Sequence, residues 1–296
     1  MKKIIFAISM LICSICNAGT NHPVTLVVPY GPGGPLDLIA RYLQTDLENI
    51  LHTTVVVKNL PGAGNLVAVN QVLNNNDCCT FIVSQDDFIL GAVYQNRTTY
   101  QQFTATNIIG TMPFLMYGSV NQLQQQIQKK KTVNVGNNGV HGGADHWMAG
   151  LKSPIQLNPI YYKGAADVIR DVTGGQCEYG ISSITASYNQ VKEKTLVPVM
   201  ISSRQRNQLY PQVPTYLELG FRGAPGLTWF GVFARKTADI ETVNQVTWAI
   251  KMSIANNPRL QDLKPTGMNL INLSNNDADH YYLQQIKHFE KTRNNQ

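Results

Sequence analysis

Residues 24–37, VTLVVPYGPGGPLD, predict a buried β-strand, a glycine-rich turn and the start of a helix. The strand part is short, apolar and β-branched, and the residues after Pro35 are apolar at helical spacing. A helix leaves its first amides unpaired and carries a partial positive charge there, so the turn suits an anion. A tight turn without a ligand explains the same residues equally well. Walker and dinucleotide-binding glycine motifs are absent.

Short apolar strands alternate with amphipathic helices along the chain, which favours an α/β fold with parallel sheets. Strands are predicted at residues 54–57, 80–84, 108–111, 114–117, 132–135, 157–161, 179–182, 197–201 and 229–234. Helices are predicted at residues 36–49, 65–74, 120–130, 143–152, 166–173, 240–256 and 277–292.

The first eighteen residues have the pattern of a cleaved signal peptide. Lys2 and Lys3 precede an apolar stretch at residues 4–15, and small residues follow it. That stretch is short for a membrane span, and no other stretch approaches spanning length. We therefore expect an exported protein in the periplasm, with about 278 residues after removal of residues 1–18.

Composition argues against several classes of protein. Charged residues make up 14% of the chain, against about 25% in typical domains, and the net charge of +6 is spread too thinly for a nucleic-acid surface. Cys78, Cys79 and Cys177 follow the leader, and their pairing stays open because their number is odd. No metal-ligand spacing accompanies them. We expect no metal, no cofactor and no nucleic-acid partner.

Five segments resemble the receptors of tripartite tricarboxylate transporters, often called the Bug family. PYGPGGPLDLIAR at residues 29–41 and VVVKNLPGAGNLVA at residues 55–68 have that family's Pro-Gly-Gly-x-x-Asp turn and Pro-Gly-Ala-Gly helix start. The resemblance continues, in the family's order, through residues 161–176, 201–221 and 229–234. It covers nearly the whole mature chain.

The resemblance implies a two-lobed type II periplasmic binding protein, a Venus flytrap in which each lobe is a mainly parallel sheet flanked by helices. Two crossover strands join the lobes, with residues 19–113 and 232–296 in lobe 1 and residues 114–231 in lobe 2. It also implies that the protein is a monomer and that it is a binding protein and not an enzyme. Its ligand is then a small carboxylate, either a di- or tricarboxylate or an amino acid. Its partners are then this ligand and multi-spanning membrane subunits of a transporter.

The resemblance places the ligand-binding residues on loops at the carboxyl ends of strands, where parallel sheets hold ligands. In lobe 1 these are Tyr30, Gly31, Pro32, Gly33, Gly34 and Asp37, and strand position adds Gln85 and Asp86. In lobe 2 they are Asn137, Asn138, Gly139, His141, Gly142, Gly164, Ala165 and Ser183. Asp37 has two alternative roles, capping the helix or fixing waters beside the ligand.

Departures from the family bear on ligand identity. Gln85, Asp86 and Asp87 stand where the family has small or hydroxylated residues, and Gly142–Gly143 replaces a common Gly-Ser pair. An ionised Asp86 in the cleft repels a second carboxylate and attracts an ammonium group. This predicts a ligand with an amine beside its carboxylate. In the alternative, Asp86 pairs with a basic side chain or faces solvent.

Two other functions are alternatives to a transport receptor. A periplasmic hydrolase would need a serine with His141 or His146 and an acid such as Asp145, but no Gly-x-Ser-x-Gly elbow exists and Asp145 and His146 diverge on a helix. A ligand-sensing subunit of a membrane signalling protein needs the same closed complex as a transport receptor. The sequence does not separate these last two.

Overall fold

The described part of the chain contains ten strands and ten α-helices, which alternate for the most part. A computed structural model describes residues 22–63, 65–75, 77–120, 122–137, 142–162, 164–261, 263 and 267–294. The strands are β1 (Val24–Val28), β2 (Val55–Asn59), β3 (Thr80–Gln85), β4 (Phe103–Gly118), β5 (Val133–Asn137), β6 (Leu157–Tyr161), β7 (Tyr179–Ser183), β8 (Val197–Ile201), β9 (Leu227–Arg235) and β10 (Asn269–Ser274). The helices are α1 (Pro35–Leu51), α2 (Leu66–Asn74), α3 (Asp87–Tyr94), α4 (Leu123–Gln128), α5 (Gly143–Ala149), α6 (Ala165–Thr173), α7 (Ile184–Lys192), α8 (Ile240–Asn256), α9 (Pro258–Gln261) and α10 (Asn276–Asn294).

The long strand β4 joins two sheet halves. Its residues 103–113 pair with β9, which in turn pairs with β3, and β3, β1 and β2 are parallel neighbours. Its residues 114–118 pair with β7 and β8, and β7, β5 and β6 are again parallel. Lobe 1 denotes the half with β1–β3, β9 and β10, and lobe 2 denotes the half with β5–β8.

Helices cover both faces of the lobe 1 sheet. One core joins α1 and α8 to the sheet, and a second core joins α2, α3 and α10 to its other face. Lobe 2 has separate cores that include Trp147 of α5 and Val168 of α6. The C-terminal helices α8 and α10 thus pack on lobe 1, although they follow lobe 2 in sequence. The predicted domain boundaries stay a prediction.

The sequence predicted most elements close to their observed bounds. The predictions at residues 157–161, 197–201 and 240–256 are confirmed as β6, β8 and α8. The strands predicted at 108–111 and 114–117 are one continuous strand, β4, which passes through Pro113. Helices α3, α7 and α9 and strand β10 were not predicted. The predicted signal peptide lies outside the described residues.

A disulfide links Cys78 and Cys79, which are neighbours in sequence and have their Cα atoms 3.8 Å apart. Cys177 is a buried thiol in lobe 2. Among the described residues, no helix is both long and apolar enough to cross a membrane, and no group of His, Cys, Asp and Glu side chains is arranged to hold a metal ion.

Candidate functional site

The first cleft loop, residues 29–34, leads from β1 into α1 and contains three glycines. Gly33 has φ +86°, a conformation that side chains disfavour, while Gly34 has φ −81° and directly precedes α1. A Cβ built on Gly31 or Gly33 would meet no atom within 4 Å. The loop therefore exposes its backbone to open space at the amino end of α1.

Asp37 holds this loop in place. It is 2% exposed, and its Oδ2 accepts hydrogen bonds from the backbone amide of Gly33 and from Nε of Arg41, both at 2.9 Å. Asn59, at the end of β2, donates Nδ2 both to Oδ1 of Asp37 and to the carbonyl of Tyr30, each at 3.0 Å. Burial raises the pKa of Asp37, but the hydrogen bonds from Arg41, Gly33 and Asn59 outweigh it and the net pKa is lowered. Both oxygens are thus engaged in fixing the turn.

Two adjacent carboxyl groups follow β3 and point to different partners. Asp86 is 4% exposed, and its Oδ1 accepts a hydrogen bond of 2.6 Å from the Thr228 hydroxyl. Asp87 accepts a hydrogen bond from the Tyr30 hydroxyl, while its Oδ1 is buried without a partner in the described part of the chain. Burial raises the pKa of each to about 7, against weaker lowering by Thr228 and backbone amides at Asp86 and by the Phe88 amide at Asp87.

The two lobes meet where Asp86 faces the start of α5. A Cβ built on Gly143 would lie 2.8 Å from Oδ2 of Asp86 and 2.9 Å from Cζ of Phe114. The carboxyl ends of β3 and β5 therefore face each other across the cleft. A side chain at position 143 would require the Asp86 carboxyl group and the Phe114 ring to shift.

The lobe 2 loops bring small residues and one buried amide to the opposite side. Asn137, at the end of β5, is fully buried, and neither atom of its side-chain amide has a partner among the described residues. Gly142 and Gly164 directly precede α5 and α6, and a Cβ on Gly164 would meet nothing within 4 Å. Ser183 directly precedes α7, with its hydroxyl 3.1 Å from that of Thr185.

The structure thus distributes the proposed ligand-binding residues over the facing edges of the two lobes. Pro32 and Gln85 lie on the lobe 1 edge, and Ala165 begins α6 on the lobe 2 edge. Asn138, Gly139 and His141 lie outside the described residues. A ligand contact at any of these positions remains a prediction.

Sequence reasoning missed two residues that shape this site. Asn59 donates hydrogen bonds that tie the end of β2 to the first cleft loop. Its place two residues after the strand predicted at residues 54–57 was the only sign of this role in the sequence. Asp87 was noted only as a departure from the family pattern, yet it is Asp87 that contacts Tyr30. Which of two neighbouring carboxyl groups turns to a loop 57 residues away is decided by tertiary packing.

A sequence-family comparison decides which family the chain belongs to. Residues 39–293 match the family described as the tripartite tricarboxylate transporter family receptor. The chain belongs to this receptor family. The resemblance drawn from the sequence motifs is therefore confirmed.

Solved structures with the same fold support the architecture of the receptor. A TctC solute-binding protein from Polaromonas, without ligand, is 20% identical, has a TM-score of 0.76 and is matched over 94% of this chain and 99% of that one. MatC from Rhodopseudomonas palustris with bound malate is 20% identical with a TM-score of 0.70, over 92% and 98% of the two chains. An R. palustris protein with adipate is 20% identical with a TM-score of 0.75, over 93% and 97%. The predicted periplasmic-binding-protein fold is confirmed.

Proposed function

We propose that this receptor captures a small carboxylate between its lobes outside the cytoplasm and delivers it to multi-spanning membrane subunits of a transporter. One observation carries the proposal. Two open, glycine-rich helix starts, after Gly34 and after Gly164, lie on lobes that face each other at Asp86 and Gly143. Helix starts offer unpaired amides to an anion. The malate and adipate held by two structural neighbours are carboxylates of this kind.

The energetics support a useful affinity. A hydrogen bond from an amide to a charged carboxylate contributes roughly 1.5–3 kcal/mol. Several such bonds, after the cost of association, are compatible with micromolar binding, about −8 kcal/mol. A buried metal or cofactor is not needed for this binding.

A thermal-shift screen tests the carboxylate proposal. The screen compares di- and tricarboxylates and amino acids with a matched set of sugars and polyamines. We expect shifts with carboxylates alone, since ligands that bind the folded state raise its melting temperature. Shifts with sugars or polyamines and none with carboxylates would overturn the proposal.

We further propose that the acidic pair after β3 selects a ligand with an amine beside its carboxylate. Within the described residues, no Lys, Arg or His forms an ion pair with Asp86 or Asp87, and Oδ1 of Asp87 is buried without a partner. A ligand ammonium would supply the missing positive charge. At about 4 Å and an effective dielectric near 20, this attraction is roughly 4 kcal/mol before desolvation. In this proposal Asp87 shares with Asp86 the role that was predicted for Asp86 alone.

Matched ligand pairs separate this selectivity from carboxylate binding itself. Affinities for glutamate and glutarate, and for aspartate and succinate, are measured on wild type, Asp86→Asn and Asp87→Asn. We expect the substitution that removes the amine contact to weaken the amino acid about tenfold or more, while the deaminated analogue binds as well as before or better. Asp167→Asn, an exposed carboxylate paired with Arg170, is the control. Equal losses for both members of each pair would leave the acidic pair without a role in reading the amine.

A further inference from the structure

His146 of lobe 2 is buried by residues of lobe 1. It lies on α5 and is 7% exposed, and its Nδ1 is 3.2 Å from the Tyr94 hydroxyl at the end of α3. Its ring packs edge-on against His288 and Phe289 of α10, at centroid distances of 5.2 and 4.9 Å. Three aromatic side chains of lobe 1 therefore surround one imidazole of lobe 2, so its burial depends on the lobes being in contact.

This contact borders an inter-lobe cavity of about 350 Å³. The cavity is lined by Leu90 and His288 from lobe 1, by His146 and Trp147 from lobe 2, and by Pro225 from the connection between β8 and β9. Because the walls come from both lobes, opening of the cleft would admit water directly to His146. The contact is separate from the loop at residues 29–34 and does not involve it.

The charges that face His146 oppose its protonation. On α10, His288 lies against it, and Lys291 lowers the pKa of His288 after burial does. On α3, Tyr94 is the facing titratable group, and the segment between β8 and β9 lines the cavity with uncharged residues. On α5 itself, Asp145 accepts a hydrogen bond from Tyr161 at 3.0 Å. Asp86 also lines the cavity, but its carboxyl group is bonded to Thr228.

We propose that His146 is a positioning residue that holds the two lobes together when its imidazole is neutral and favours their separation when it is protonated. In the closed arrangement a protonated His146 has no carboxylate partner among the described residues. Its ring faces His288 of α10. In the open arrangement the same imidazole is exposed to water. Lobe closure, and with it ligand capture, is then linked to the release of one proton.

The sign of this linkage follows from the burial of the ring. Burial, and then the charge on His288, lower the pKa of His146 to about 4 from an ordinary 6.5. A group with a lowered basic pKa in the closed state favours that state above pH 6.5 and loses this preference as the pH falls below 6.5. Taken alone, this titration of His146 should lower the ratio of closed to open protein about ten- to thirtyfold between pH 7.5 and pH 5.

Asp86 and Asp87 act in the opposite direction. Burial raises their pKa to about 7, so protonation of these carboxyl groups favours the closed arrangement as the pH falls. A pH profile of the wild type alone therefore mixes the two effects. The difference between wild type and a His146 variant isolates the imidazole.

Small-angle X-ray scattering of the protein without added ligand, at pH 7.5 and 5.0, tests the proposal. The variants are His146→Gln, which removes the titration, and His280→Gln, an exposed histidine of α10, as control. On going from pH 7.5 to pH 5.0, we expect His146→Gln to become more compact than wild type and His280→Gln, because the closing effect of Asp86 and Asp87 is then unopposed. The difference in radius of gyration from His146→Gln is the pH response of His146. His288→Gln, which removes the facing charge, should reduce the response without abolishing it. Circular dichroism checks that each variant is folded.

An NMR titration of the histidine side chains provides the second readout. We expect His146 to titrate well below 6.5. The proposal is overturned if His146 titrates near 6.5, or if the radius of gyration of wild type and of His146→Gln changes equally between the two pH values. Affinities for malate and adipate at both pH values rest in addition on the proposed function. Absence of binding at both pH values would count against that function, while the scattering still decides the role of His146.

Discussion

Asp86 of lobe 1 and Gly143 of lobe 2 are in such close apposition that a methyl group on Gly143 would lie 2.8 Å from Oδ2 of Asp86. The two residues are 57 positions apart in sequence and belong to different sheet halves. Their approach defines the closed cleft at the carboxyl ends of β3 and β5. A side chain at position 143 would therefore have to displace the Asp86 carboxyl group before the lobes could approach this closely.

Gly143→Ala should weaken ligand binding by hindering closure. Overpacking of a tight contact costs about 1–3 kcal/mol, which corresponds to about a five- to 100-fold loss of affinity. Calorimetric titration with the best carboxylate of the screen measures the loss. Gly150→Ala, at the other end of α5, is the matched control, because a Cβ there would meet nothing closer than 3.6 Å.

A second substitution identifies which neighbour is responsible. Cζ of Phe114 is also only 2.9 Å from the Cβ position, and it belongs to the β4 residues that pair within lobe 2. If the contact between the lobes matters, Asp86→Ala should offset part of the loss caused by Gly143→Ala. Additive effects of the two substitutions would contradict this and point to Phe114.

Gly34→Val should abolish binding and leave the fold intact. Gly34 has φ −81°, which a side chain adopts without strain, and its Cβ position has no neighbour closer than the Gly31 carbonyl at 4.0 Å. A valine would therefore fill the space in front of the loop and not disturb the core. Calorimetry and circular dichroism on Gly34→Ala and Gly34→Val should show a graded loss of binding at constant helix content. Gly91→Ala, within α3, controls for loss of a glycine, and wild-type affinity in Gly34→Val would show that the turn is only structural.

Asp37→Asn should destabilise the protein at neutral pH and much less in acid. The substitution removes charge-assisted hydrogen bonds to Gly33 and Arg41, a loss of about 1–3 kcal/mol in the free energy of unfolding. Because folding lowers the pKa of Asp37 from 3.8, its stabilisation is complete above that value and disappears as the pH falls below it. Urea unfolding of wild type and variant at pH 7 and pH 3 measures the difference.

The control for Asp37 is Asp167→Asn. Asp167 is an exposed carboxylate that pairs with Arg170 at 2.9 Å. Exposed pairs contribute about 0–1 kcal/mol, so this variant should differ little from wild type at either pH. A loss at Asp37 that persists undiminished at pH 3 would assign the effect to packing instead of charge.

The elements that were predicted well carry local signals. Helix α8 begins at Ile240 directly after Asp239, whose side chain accepts a hydrogen bond from the Thr242 amide, and its bounds were predicted residue for residue. Strand β8, with the sequence VPVMI, is a short apolar run between polar segments. In these segments local propensity and tertiary structure agree, so the sequence alone was sufficient.

The elements that were missed depend on contacts distant in sequence. A single residue, Asp86, separates the end of β3 from the start of α3. The α3 sequence DFILGAVY is apolar on most sides because both α10 and the sheet cover this helix. It therefore lacks the amphipathic period by which helices are recognised. Gly110 and Pro113 look like strand breakers, yet β4 continues through both as it passes from lobe 1 to lobe 2. The contacts of Asp86, Asp87 and His146 are likewise consequences of how the lobes meet.

Hydrogen–deuterium exchange with and without the best carboxylate of the screen tests most directly whether one ligand is held between the two lobes. The account predicts slower exchange on binding in peptides covering residues 29–37 of lobe 1 and residues 142–149 of lobe 2, with the two segments responding at the same ligand concentration. Exchange in peptides that cover α8 should not change on binding. Protection confined to one lobe, or to neither of these segments, would contradict capture between the lobes.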